Sequence, residues 1–206
     1  MTKKLIGILV LLVAALAFGL HQYFSQPKNI FDEIYQETKK TYQNNNVLEK
    51  IKDFDIRGSW PSDDSNISKT PFGIYNNQKF TASHYYDVSI DFNFKRKYKT
   101  VLISFNRELD SKVSLSFWSL YSAKEQTLTK TVEIRVKSGD SDKYIEDQSK
   151  VKAYLSKYGI TASDLDKHYN EIVNQKVLKD WCSIYDSKFS PKDYGDVTVK
   201  TEWENW

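Results

Sequence analysis

The chain has 206 residues with 30 basic and 27 acidic side chains, a formal charge of +3. Two of the basic residues are Lys3 and Lys4, so the remainder carries 28 against 27 and lacks the basic excess that draws nucleic acid. The single cysteine, Cys182, permits no internal disulfide, which excludes the small cross-linked scaffolds. About 180 residues can bury a core without such staples.

Residues 5–20 form an uncharged apolar run. Extended through Tyr23 and Phe24, it reaches the roughly 30 Å of a bilayer core, with the aromatic pair suited to the headgroup layer. Lys3, Lys4, Leu5, Leu12, Leu20, Tyr23 and Phe24 therefore mark a membrane anchor. Ala15-Leu16-Ala17 also fits a signal-peptidase site, which keeps a cleaved signal peptide open as the alternative. Either way the two lysines hold the amino terminus in the cytoplasm. The expected organisation is an anchor or signal peptide over 1–26 and one extracytoplasmic domain over 27–206. That places the protein in the cell membrane as a single-pass chain, or outside the cell after cleavage.

Asn29 can cap a helix whose apolar positions Ile30, Phe31, Ile34, Tyr35 and Tyr42 recur near the helical period, up to the Asn44-Asn45-Asn46 run. This helix is expected to pack on the domain instead of serving as a free stalk. Residues 47–51 continue a helical stripe, after which Phe54 and Ile56 alternate with acids as in a strand. Residues 62–79, rich in Ser, Asp and Asn, read as a loop.

The period then changes to two. Val88, Ile90, Phe92 and Phe94 define one strand; Val101, Ile103 and Phe105 a second; Val113, Leu115 and Phe117 a third; Val132, Ile134 and Val136 a fourth. Four such strands joined by short polar segments indicate an antiparallel meander with one buried face. The basic run 94–99 between the first two reads as a solvated hairpin turn, or as a contact for anionic lipid headgroups or an acidic partner.

After Gly139 the helical period returns. One helix carries Val151, Tyr154, Leu155 and Tyr158 and stops at Gly159; another starts at the Thr161 or Ser163 cap and continues through Leu165, Tyr169, Ile172, Val173, Val177 and Trp181 to about Lys188. Val197, Val199, Thr201 and Trp203 alternate as a last strand. The fold class is α+β: an antiparallel meander sheet with one face covered by N- and C-terminal helices.

No constellation for catalysis stands out. His84 reads as a strand-entry residue and His168 as a surface residue of a helix. The pairs Asp53/Asp55 and Asp63/Asp64 read as solvated acids, and Cys182 as a buried inert thiol. No zinc spacing, nucleophile elbow, phosphate loop or dinucleotide pattern occurs. The chain is therefore expected to be no enzyme and to hold no cofactor or metal. What remains is a binding surface. If helices cover the apolar face of the sheet, the other face presents Asp91, Asn93, Leu102, Ser114, Ser116, Trp118, Glu133 and Arg135. An aromatic ring among small polar neighbours is the composition of an interface anchor; the alternative is that the 62–79 loop or the C-terminal strand covers Trp118.

The order of these features, with the phrase Asn29-Ile30-Phe31-Asp32-Glu33-Ile34-Tyr35, a Tyr- and Phe-rich meander, two helices and an acidic Trp-rich tail, resembles the TipC family of immunity proteins. The resemblance implies a membrane-tethered inhibitor, monomeric when free, that binds a type VII-secreted LXG-type toxin attacking the cell-wall precursor lipid II. It transfers no individual contact residue. The alternative is a tethered extracytoplasmic domain that binds a lipid or cell-wall ligand in an apolar groove between sheet and helices.

Overall fold

A computed structural model describes residues 3–44, 55–59, 85–93, 97–139 and 141–206. Helix α1, Lys3–Ser25, has 23 residues, about 35 Å at 1.5 Å per residue. It contains every position assigned to the anchor. Its large apolar side chains from Ile8 to Leu20 are each more than half exposed, on every side of the helix. No helical run among the residues with described side chains, 7–20 and Tyr23 in α1, is long and apolar enough to cross a membrane.

Helix α2, Ile30–Asn44, follows after a short link. Its N-terminus is held as the sequence predicts: Asn29 Oδ1 accepts from the Asp32 amide at 2.9 Å, the side-chain cap that satisfies a free helical N–H. Ile30, Phe31, Ile34 and Tyr35 then bury against the sheet. The helix is thus docked on the body of the protein, as expected.

Seven strands form one sheet in the order β1-β2-β3-β4-β5-β6, with β7 pairing to β5. They are β1 Asp55–Ser59, β2 Tyr85–Asn93, β3 Thr100–Glu108, β4 Val113–Ser122, β5 Thr127–Ser138, β6 Ser141–Ile145 and β7 Thr198–Thr201. The meander β2 to β5 is antiparallel as predicted. The sheet is nevertheless mixed, because β1 pairs β2 and β7 pairs β5 in parallel. Strand β6 has no counterpart in the sequence reading. Its first four residues are exposed, so it carries no alternating apolar signal. The last strand is shorter than predicted, and Trp203 falls in a 3-10 turn, Glu202–Asn205.

The C-terminal helices are α3 Gln148–Lys157, α4 Ala162–Tyr169 and α5 Lys179–Tyr185, with a π-helical segment, Asn170–Leu178, joining the last two. Gly159, at φ +65°, ends the turn after α3, a conformation that costs glycine nothing. Thr161 caps α4 in a reciprocal arrangement with Asp164. The sequence reads 161–188 as one ordinary helix. The wider winding fits the spacing of its apolar residues, since Ile172 with Val177 and Val173 with Leu178 repeat at five, the hydrogen-bond step of a π-helix. Asp186, at φ 48°, ends α5 before Lys188.

These helices cover one face. Val101, Ile103, Phe105, Leu115, Phe117, Tyr121, Leu128 and Ile134 point into the layer they close. Phe117 stacks on Phe105 at 4.5 Å and meets Trp203 edge-on at 6.1 Å, arrangements that aromatic quadrupoles favour. Trp203 Nε1 donates to Asp166 at 2.9 Å. His168, expected at the surface, is buried beneath Phe117, with ring centroids 6.4 Å apart. Burial and the nearby Arg107 charge push its pKa down to about 4. It sits at the edge of the Leu165–Tyr169 stripe, and the sheet reaches far enough to cover that edge. Cys182 is a free, half-buried thiol whose Sγ lies 3.3 Å from the Phe189 carbonyl, and burial raises its pKa, as suits an inert thiol.

Candidate functional site

The face of the sheet turned away from the C-terminal helices is built by register. Leu102 pairs with Leu120 and Leu120 with Thr129; Ser104 pairs with Trp118 and Trp118 with Thr131; Asn106 pairs with Ser116 and Ser116 with Glu133; Glu108 pairs with Ser114 and Ser114 with Arg135. Directly paired residues share a face and touch. The structure therefore brings together six of the predicted positions: Leu102, Ser114, Ser116, Trp118, Glu133 and Arg135. Asp91 pairs with Leu102 and Asn93 with Thr100 in the same sheet; their side chains lie outside the described residues.

The surface is less uniformly open than the alternation suggests. Ser114 and Ser116 are buried, small side chains overtopped by longer neighbours. Ser116 Oγ donates to Asn106 Oδ1 at 2.7 Å. Trp118 is half-buried, and its indole N–H is shut off from solvent with no acceptor at hydrogen-bonding geometry. Arg135 Nε donates to Asp142 at 2.9 Å, so its charge is tied down. Leu120, which the sequence reading did not select, is the exposed apolar residue of the patch at 42 %. Its signal was available, since it continues the parity of Trp118 by two.

Glu133 lies diagonally from Trp118. Burial and the charges of Glu146 and Glu202 push its carboxyl pKa up, while the Trp118 indole dipole opposes them. The face thus combines an aromatic ring and an aliphatic side chain with an acidic corner. Such a surface buries area against a protein partner and selects it by charge.

No group of three or more His, Cys, Asp or Glu able to hold a metal is found among the described residues. His84, Asp53, Asp63 and Asp64 lie outside them. The space between sheet and helices is filled by residues at 0–1 % exposure, Val101, Ile103, Phe105, Phe117 and Trp181 among them. A cleft of about 450 Å³ does lie at the start of α2, lined by Tyr23, Gln26, Pro27, Lys28, Lys188 and Asp196. It is polar and sits away from the sheet face.

The phrase 29–35, which carries much of the resemblance, is a structural lock and not a contact surface. Asn29 Nδ2 donates to Tyr121 Oη at 3.1 Å and to Gln126 Oε1 at 3.0 Å. Glu33 accepts from Trp181 Nε1 and from Ser187 Oγ, both at 2.9 Å. Phe31 stacks on Tyr121 at 5.4 Å.

Fold and site together define an α+β domain with helices packed on one face of a largely antiparallel sheet. The chain belongs to the TipC immunity protein-like family, which matches residues 2–202. It is similar to the solved structure of TipC2 from Streptococcus intermedius B196, with 52% identity and a TM-score of 0.76 over 88% of this chain and 99% of that one. Comparison with curated proteins finds no match. The family supports an immunity role, with a toxin as the partner.

Proposed function

We propose that this protein neutralises a secreted antibacterial toxin by stoichiometric binding at the outer face of the cytoplasmic membrane. The observation that carries this reading is the family match over residues 2–202. The toxin is of the LXG type, released by type VII secretion and directed at lipid II, as the family resemblance implies. Helix α1 is the tether. Its apolar side chains are exposed on every side of the helix, a state that suits lipid and not water. Tethering raises the inhibitor's local concentration where a membrane-bound precursor is attacked.

The proposed contact surface is the free sheet face around Trp118 and Leu120, with Glu133 at its acidic corner. Inhibition is by occlusion, without chemistry on the toxin. Cells exposed to the cognate LXG toxin should survive when they make the full chain. Lysis at undiminished rate despite export of the protein would refute the proposal.

A further inference from the structure

The start of α2 and the loop before β7 line the cleft described above, and two turns at the same end of the sheet are bonded to them. The Ala123 amide donates to the Lys99 carbonyl at 2.9 Å, joining the β2–β3 and β4–β5 turns. Gln126, at the end of the second turn, holds Asn29. A Cβ on Gly195 would lie 3.1 Å from the Lys28 carbonyl oxygen, so the loop presses on the same point. Six lysines lie on these four segments: Lys28, Lys97, Lys99, Lys124, Lys188 and Lys192. Their acidic counterparts there are Glu125, Asp186, Asp193 and Asp196. Asp32 also faces Lys28 and Lys99, but it is buried, and burial pushes its carboxyl pKa up. Tyr98 projects at 47 % exposure, with Lys97 Nζ 5.3 Å from its ring. A lysine beside an amphipathic ring is the usual furniture of a membrane–water interface.

We propose that this end of the protein is a docking surface for anionic phospholipid headgroups. The inference rests on reading α1 as a membrane anchor. Only Gln26 and Pro27 separate Ser25, the last residue of α1, from Lys28, and the three steps from Ser25 to Lys28 reach at most about 10 Å. The buried Asn29 and Glu33 bonds leave α2 no freedom to act as a swivel. Lys28 is therefore held about one Debye length, roughly 8–10 Å at physiological salt, from the end of α1, and the turns and loop joined to its segment carry the other lysines at the same end of the protein, where lipid phosphates attract them. Docked this way, the strands of the meander rise away from the membrane. The face bearing Trp118 and Leu120 then opens sideways, along the surface on which lipid II moves.

The test uses the full chain in vesicles of neutral phosphatidylcholine and of phosphatidylcholine with 30 mol% phosphatidylglycerol. Flotation reports anchoring, and amide hydrogen exchange reports docking. The expected result is flotation with both compositions and exchange about fivefold slower, the effect of one lysine's attraction, over 97–99, 123–126 and 188–196 in the anionic vesicles alone. That protection should vanish in 0.5 M salt and in the Lys97→Glu/Lys124→Glu/Lys188→Glu variant, whose three sites are exposed. Flotation with equal exchange in the two lipids would overturn the docking surface and leave the anchor standing. Flotation with the anionic vesicles alone would support docking and remove the anchor. Failure to float with either would overturn both. Equal exchange combined with weaker toxin binding by the triple variant would assign the lysines to an acidic protein partner instead.

Discussion

Glu33→Ala should loosen the attachment of α2, and with it the position of everything that follows the tether. The carboxylate lies at 9 % exposure and accepts two hydrogen bonds at 2.9 Å, from Trp181 Nε1 and Ser187 Oγ. Each bond to a charged acceptor is worth about 1.5–3 kcal/mol, and truncation leaves the Trp181 N–H without a partner. Loss of an acid in the first turn of α2 removes about 0.3–1 kcal/mol more. The expected destabilisation is about 3–5 kcal/mol. Glu33→Gln keeps an acceptor for Trp181. Its amide then faces a Ser187 hydroxyl that also accepts from the Phe189 amide, so its cost should be smaller, about 1–2 kcal/mol. Adding Trp181→Phe to Glu33→Ala removes the orphaned donor, so the double variant should lose less than the sum of the two single losses. Urea unfolding of residues 27–206, followed by circular dichroism, measures all of these. A loss below about 1 kcal/mol for Glu33→Ala, or equal losses for the Ala and Gln variants, would refute the lock.

His168 should make stability pH-dependent. Its folded pKa of about 4 lies below the ordinary value of 6.5, so the unfolded chain takes up the proton first and stability falls as pH drops from about 6.5 to 4. Each pKa unit is worth about 1.4 kcal/mol, which gives up to roughly 3 kcal/mol across that window. Asp32 and Glu133, whose pKa values are raised, act with the opposite sign at the acidic end. Comparison of unfolding midpoints with a His168→Gln variant isolates the histidine, and parallel pH profiles for the two proteins would contradict the argument. Gly195→Ala should cost about 1–2 kcal/mol from the left-handed backbone alone, since φ is +60°, with a further penalty from the 3.1 Å approach to the Lys28 carbonyl. An unchanged thermal midpoint would show that this loop yields.

The parts of the fold that could be read in advance are those where a local pattern and a tertiary requirement coincide. Val101, Ile103 and Phe105 alternate because one face of β3 meets helices, and Thr161 precedes Asp164 because a helix end needs both. The parallel pairings of β1 and β7 join segments distant in sequence, and nothing in strands of five and four residues announces them. His168 shows the limit for helices: period assigns a face, but how wide a stripe is covered depends on the breadth of the sheet beneath it. The candidate face followed the same rule. Parity placed Trp118, Glu133 and Leu102 together, but the burial of Ser114 and Ser116 and the pairing of Arg135 with Asp142 depend on cross-strand neighbours that alternation does not name. Leu120 was legible by parity and was overlooked because it stood among residues read as the end of a strand.

Titration of an LXG toxin encoded beside the gene for this chain into the protein by calorimetry tests the central claim most directly. The account predicts a one-to-one complex with nanomolar Kd, about −12 kcal/mol, and binding at least about tenfold weaker for Trp118→Ala and for Leu120→Arg, in keeping with hot-spot residues, each with an unchanged fold by circular dichroism. Absence of heat on mixing folded partners would contradict the immunity mechanism; wild-type affinity in both variants would move the contact off the sheet face.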